Sequence, residues 1–267
     1  MPDAYTHGHH ESVLRSHRWR TAENSAAYLL PFLQPGTCIL DVGAGPGTIT
    51  LDLAERVAPG AVRGVDASPD VVAQAEADRA ASGITTVTYA VDDAYALDSA
   101  DDRWDVVHAH QVLQHLARPV DALREFRRVV ASEGVVAARD VDYEGVIWWP
   151  RLPGLDEWLE VYLAAHRATS GGPAAGRQLK AWAQEAGFTD VRASASVWLY
   201  ESPEERAWWG GMWAGGMLDS AIARQLLDAG EATPEDLQRV SDGWREWAAS
   251  DDGWLSVLHG EILCRVG

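Results

Sequence analysis

The segment Asp41-Val42-Gly43-Ala44-Gly45-Pro46-Gly47 is where residue types and spacing point most directly to chemistry. Glycines let a chain turn sharply and let its backbone approach a ligand closely. Asp66 stands about 20 residues further on, where a carboxylate can accept both hydroxyl hydrogens of a ribose diol. Loop and acid together ask for a nucleoside ligand, and two kinds fit. A dinucleotide brings a pyrophosphate to the N-terminus of the next helix. S-adenosylmethionine brings a sulfonium cation and an amino-acid tail. The spacing here is GxGxG rather than GxGxxG, and Thr48 stands where the dinucleotide pattern takes Gly or Ala. Asp41, directly before the glycines, also suits a cation better than a pyrophosphate. These details favour S-adenosylmethionine.

A sulfonium methyl is already a good electrophile, so the protein has to align the reactants, exclude water and, for some acceptors, remove a proton. No residue type is compulsory for that work. His108 and His110 are two apart at a strand end and share a face, which puts His110 toward the ligand or into packing. His115 lies just beyond. Asp140 and Tyr143 follow another strand at the same sheet edge, as acceptor-binding groups, as a base, or as ordinary loop residues. The N-terminal segment holds Tyr5, His7, His9 and His10, then His17 and Arg18. Histidine titrates near neutrality and suits base work, whereas a solvated terminus needs no such role. Closely spaced histidines without a framework make a poor metal site, so no metal is expected. His10, His115 and Tyr143 are the candidate catalytic groups.

These groups need elements to hold them. Thr37–Val42, Ala61–Asp66, Thr85–Ala90, Trp104–Ala109 and Val135–Val141 read as strands. Helical patterns fill the gaps at 48–57, 68–82, 111–117 and 119–131; Ser68-Pro69 is a helix start and Gly83 a stop. Short apolar strands alternating with helices predict a doubly wound, parallel α/β sheet, Rossmann-like. Beyond residue 141 the alternation loosens into a helix at 176–186, a strand at 191–200, a helical stretch at 204–249 and a closing strand at 256–266.

Composition narrows the partners. The chain has 267 residues, 22 basic against 40 acidic, for a net charge of −18. Residues 1–145 hold 12 basic and 22 acidic residues and the remainder 10 and 18, so neither half carries a basic face. Phosphate backbones and anionic membranes are repelled by such a chain, and no nucleic acid or membrane partner is expected. No run approaches the ~20 apolar residues of a membrane span, and the first residues carry no signal pattern. Two cysteines, Cys38 and Cys264, exclude a disulfide framework and suit the cytoplasm. Tryptophan is skewed: 11 of 13 lie at or after Trp148, against 3 phenylalanines in all. Neighbours on a helix diverge by ~100°, so at least one of each pair Trp148-Trp149 and Trp208-Trp209 faces a cavity, an interface or solvent. A tryptophan-lined pocket would take a flat aromatic, an apolar chain or a cation. Core packing and a homodimer interface are the alternatives, and core packing is preferred for Trp158, Trp182, Trp244, Trp247 and Trp254.

The motifs occur in an order that resembles the class I S-adenosylmethionine-dependent methyltransferases, in particular the small-molecule branch related to quinone-biosynthesis C-methyltransferases. The resemblance covers about residues 30–145. It implies that Asp41, Gly43, Ala44, Gly45 and Thr48 cradle the cofactor and that Asp66, Ala67 and Ser68 meet its ribose. Asp92-Asp93-Ala94 stands for a Gly-Asp-Ala motif at the adenine, and His110 and Gln111 fall at the methionine end. Helices at the N-terminus of such enzymes cap the site, which would bring Arg18 to the cofactor and Tyr5 and His9 to the acceptor. Asp140, Trp148, Trp149, Trp209 and Trp213 are expected at the acceptor too. The implied fold is a seven-stranded sheet with six parallel strands and one antiparallel strand. One domain spans 1–267: a helical cap over 1–34, a cofactor-binding core over 35–145, and acceptor-side insertions at 146–175 and 201–254. The expected reaction is methyl transfer to a small-molecule acceptor at C, O or N, by in-line displacement that leaves S-adenosylhomocysteine. The acceptor is expected to be aromatic or apolar. An NAD-dependent oxidoreductase and a non-catalytic S-adenosylmethionine-binding protein are the alternatives.

Overall fold

A computed structural model describes residues 19–168 and 172–266. Eight strands form one sheet: β1 (Ile39–Val42), β2 (Val62–Asp66), β3 (Val87–Val91), β4 (Trp104–His110), β5 (Val130–Val141), β6 (Ile147–Trp149), β7 (Asp190–Tyr200) and β8 (Trp254–Arg265). The order runs β3-β2-β1-β4-β5-β8, and β7 pairs along the other side of β8. β1 to β5 pair in parallel, and β8 runs antiparallel to β5, β6 and β7. The expected six-plus-one arrangement is present, with β6 as a three-residue addition beside the start of β8. Three apolar residues carry no period, so β6 is made by its partner rather than by its own pattern.

The helices are α1 (Ala22–Ser25), α2 (Thr48–Val57), α3 (Pro69–Ser82), α4 (Pro119–Val129), α5 (Pro153–Ala168), α6 (Ala175–Glu185), α7 (Pro203–Asp219), α8 (Ala221–Ala229) and α9 (Pro234–Ala249). Both sheet faces are covered. Ile39, Val62, Val106 and Ala137 pack on Leu29, Leu53 and Val57 on one side. Leu40, Val107, Val136 and Ala138 pack on Leu123, Phe126 and Leu179 on the other. Consecutive residues such as Val106 and Val107 fall in opposite cores because side chains alternate across a strand. A third core is built by α5, α7, α8 and α9 around Trp158, Tyr162, Trp213, Trp244 and Trp247.

Two local readings change. The helix expected at 111–117 is only a 3-10 turn, Leu113–His115. Gln111 takes a left-handed φ of +54°, and its N–H reaches Arg139 O at 2.7 Å, so the chain leaves β4 by turning along the sheet edge. β5 begins at Val130 rather than Val135, because Val130 already pairs with Trp104; residues 131–134 fall in the register shift before Val135 pairs with Val106.

Two sheet registers place functional groups directly. Asp41 lies beside His108 across β1 and β4. His110, Arg139, Glu261 and Ser194 form a row across β4, β5, β8 and β7.

Candidate functional site

The strand order reverses between β1 and β4, and in open α/β sheets the crevice at such a reversal takes the ligand. Here it opens into a cavity of about 1140 Å³, beyond the ~300–1,000 Å³ that serves one ligand. The glycine loop forms its floor. Gly43, Gly45 and Gly47 have φ of +69°, +57° and +85°, values that favour glycine. A Cβ on Gly43 would run into Val112, and one on Gly47 into the Tyr89 hydroxyl. Gly43 N–H and Ala44 N–H donate to Val65 O at 2.7 and 2.9 Å, which ties the loop to β2.

The acidic groups divide by task. Asp41 is buried, and it accepts hydrogen bonds from Thr50 Oγ1 at 2.5 Å and from His108 Nδ1 at 2.7 Å. Each oxygen is thus engaged within the protein, so Asp41 braces the loop against α2 and β4. Asp66 sits half-buried in the cavity wall. Its Oδ2 accepts from Gly45 N–H at 3.1 Å and its Oδ1 from Ser68 N–H at 3.0 Å. A carboxylate oxygen has two lone pairs, so one remains on each side for a diol. Asp92 staples the next loop by accepting from the Asp93 and Asp98 N–H groups. Asp93 stands exposed at the rim.

The opposite end is aromatic. Trp198, Trp209, Trp213, Met212, Met217 and Tyr143 line it, and Arg20 enters from the chain before α1. His110 is buried between the two ends, 5.6 Å from the Trp198 ring. Burial, reinforced by Arg139, Arg20 and neighbouring imidazoles, holds its pKa well below the usual histidine value. The His110 ring is therefore neutral at physiological pH. Tyr143 is hydrogen-bonded to Tyr162, and Tyr162 Oη lies 2.9 Å from His166 Nε2. Burial raises the Tyr143 pKa and lowers that of His166 to about 4. A phenol–phenol–imidazole chain thus leads from the cavity wall into the helical core.

The cavity brings together Asp41, Gly43, Ala44, Gly45, Thr48, Asp66, Ala67, Ser68, Asp92, Asp93, Ala94, His110, Gln111, His115, Tyr143, Trp209 and Trp213. Tyr5, His9, His10 and Arg18 lie outside the described residues. Three expectations are corrected. Asp140 is buried behind the wall, accepting from Gln114 N–H at 3.2 Å, because its strand position turns it away from the cavity. Trp148 packs in the core against Trp158, and Trp149 points outward with its indole N–H on Asp252 at 2.9 Å. The two lie on β6, not a helix, so one goes in and one goes out. Trp254 is not core either; it is 37% exposed. Sequence reasoning missed Arg20, Trp198, Met212 and Met217. Trp198 alone carried a signal, as an inward position on a predicted strand.

The geometry agrees with the comparisons. The methyltransferase domain family matches residues 33–187, more than half of the chain. A methyltransferase of Schizosaccharomyces pombe is 31% identical over 97% of this chain and 95% of its own length. The chain belongs to the class I S-adenosylmethionine-dependent methyltransferases. Among solved structures, the YcgJ protein from Bacillus subtilis shares the fold of this methyltransferase, with a TM-score of 0.61 at 16% identity, covering 92% of this chain and 99% of that one. Phosphoethanolamine N-methyltransferase 2 of Haemonchus contortus shares it with a TM-score of 0.57 at 19% identity, covering 91% of this chain and 52% of that one. No helix among the described residues is long and apolar enough to cross a membrane.

The residues present fit S-adenosylmethionine. Gly43 and Gly45 in the floor admit close approach, Asp66 keeps two lone pairs for the ribose hydroxyls, and Asp92 and Asp93 add negative charge for a cationic ligand.

Proposed function

We propose that this methyltransferase transfers a methyl group to a small aromatic or apolar acceptor that lies against Trp198, Trp209, Trp213, Met212 and Met217. The carrying observation is one continuous cavity with a polar, acidic, glycine-floored end and an aromatic end. Bound S-adenosylmethionine supplies the electrophile, a methyl carbon on a positively charged sulfur. The chain supplies position and dryness. Asp66, Ala67 and Ser68 hold the ribose side, Asp92, Asp93 and Ala94 the adenine side, and Gly43, Ala44, Gly45, Thr48, His110 and Gln111 the amino-acid side.

Neutral His110 puts no second positive charge beside the sulfonium. Tyr143, kept protonated by burial, orients the acceptor through its Oη rather than removing a proton. His115, also in the wall, is the remaining described candidate for a proton-accepting role. The segment 201–254 selects the acceptor, chiefly through α7, and the core over 35–145 holds the cofactor.

Two measurements test this reading. Calorimetry should show binding of S-adenosylmethionine and not NADH; the reverse preference would place the protein among the oxidoreductases. Incubation with S-adenosylmethionine and a panel of phenols, quinols and apolar acids should then give a product heavier by one methylene, read by mass spectrometry. Binding without turnover across the panel would favour a non-catalytic cofactor-binding protein.

A further inference from the structure

The turn that leaves β4 is strained at a residue that lines the cavity. Gln111 has a φ of +54°, a left-handed backbone that residues with a Cβ rarely adopt, and its N–H is anchored on the Arg139 carbonyl at 2.7 Å. Glycine would sit there without strain. The chain carries a glutamine instead, next to the glycine loop: the following residue, Val112, is what a Cβ on Gly43 would strike. The Gln111 amide is held from far away in the chain. Its Nε2 lies 2.8 Å from Nε2 of His259 on β8, a residue 148 positions later.

His259 is itself fixed. It is fully buried, with its ring 4.4 Å from the Trp198 ring and stacked on His110 at 6.3 Å. Its Nδ1 lies 3.0 Å from Val257 O. A carbonyl oxygen only accepts, so Nδ1 carries the hydrogen. Burial, reinforced by Arg139, keeps the ring neutral, and a neutral imidazole has one N–H. His259 Nε2 is therefore a bare lone pair. The amide nitrogen of Gln111 can donate to it, whereas the amide oxygen would set lone pair against lone pair. The oxygen of Gln111 stands on the far side of the amide, where it accepts no hydrogen bond from the described residues.

We propose that His259 is a positioning residue for the cofactor: it locks the Gln111 amide with its oxygen toward the amino-acid arm of S-adenosylmethionine, where that oxygen accepts from the ammonium group. This rests on the proposed seat of the arm at Gln111 and adds what sets the polarity of the contact. The arm carries an ammonium and a carboxylate on one carbon. An amide free to turn over would serve either group. One locked with its oxygen outward attracts the ammonium and repels the carboxylate, so the lock decides which way round the arm enters. The buried tautomer and the turn at Gln111 both exist before the ligand arrives, so this acceptor is already aimed when the cofactor binds.

The test uses S-adenosylhomocysteine and its analogue with hydrogen in place of the α-amino group. Each is titrated by calorimetry into the full-length wild-type protein, Gln111→Met, His259→Phe and His259→Gln. The wild type should hold S-adenosylhomocysteine about tenfold more tightly than the analogue, the scale of a hydrogen bond to a charged group. Gln111→Met and His259→Phe should lose that preference while binding the analogue as the wild type does. His259→Gln, whose amide oxygen can take the place of Nε2, should recover most of it. Equal wild-type affinities overturn the proposal, as does a His259→Phe protein that keeps the preference or weakens both ligands alike. A preference that survives in Gln111→Met removes the seat of the arm at Gln111. One lost in Gln111→Met but kept in His259→Phe removes the role of His259 alone. Nitrogen-15 NMR of histidine-labelled wild-type protein needs no folded variant. It should find the His259 proton on Nδ1 and none on Nε2, and a proton on Nε2 overturns the proposal.

Discussion

Asp66 does two jobs with four lone pairs. Two of them accept from the Gly45 and Ser68 N–H groups, which ties the glycine loop to the start of α3, and two face the cavity. Asp66→Ala removes both the loop tie and the diol contact. The expected effect is a loss of ~1–3 kcal/mol in S-adenosylmethionine binding, as for hydrogen bonds to a charged group. Calorimetry reads it directly, and unchanged affinity would take Asp66 out of the ribose contact. Asp66 and the glycines were legible because loop and acid are close in sequence and their spacing reflects one strand–helix–strand unit. Asp41 was legible only as an acid. Its partner His108 is 67 residues away, so that the carboxylate braces the loop is decided by sheet register.

At the scale of elements, α7 carries Trp209, Met212, Trp213 and Met217 to the cavity. Its start is well marked: Ser202 accepts from Glu205 N–H at 3.2 Å, Glu205 reaches back to the Ser202 N–H, and Pro203 opens the first turn. Close approach of α7 to α9 depends on Gly210, where a Cβ would meet Ala248 at 2.8 Å. Ser202→Ala should lower unfolding stability by ~1 kcal/mol, the usual loss for an N-cap hydroxyl. Chemical denaturation measures that change. The same variant should bind a flat aromatic acceptor more weakly while keeping its S-adenosylhomocysteine affinity, because the cap belongs to the helix at the aromatic end alone. Equal losses for both ligands would contradict that division. The helical character of 204–249 was legible from its residues; its split into three helices lies in the caps Ser202, Ser220 and Thr233.

For the whole molecule, buried ionisable groups shape the pH response. Asp140 keeps its proton in the fold up to about pH 7, whereas the unfolded chain releases it near ~4. The fold thus holds more protons in that window, and this group's contribution to stability is lost as pH rises from about 4 to about 7. His166 acts in the opposite direction. Its folded pKa is about 4, against ~6.5 when unfolded, so stability declines as pH falls through that range. Asp140→Asn keeps an oxygen for the Gln114 N–H and removes the first slope. Its thermal midpoint should gain on the wild type as pH rises from about 5 to about 8. A difference that stays constant with pH would mean that the Asp140 pKa is the same in the folded and unfolded chain.

The local alphabet of this protein was set by the sequence itself: strand–helix alternation, the glycine loop, the acid Asp66 after the next strand and the tryptophan-rich half all follow from short-range periodicity, spacing and composition. Tertiary structure decided what those residues face. Asp140 and Trp148 turned into the core, Trp149 turned to solvent, and Arg20 came to the cavity. Burial depends on partners far away in the chain, and a one-residue change in strand phase reverses which side chain meets the ligand. The glycine-loop end is built within one stretch of about a hundred residues. The aromatic end is assembled from Arg20, β4, β7 and α7, segments that only folding places side by side.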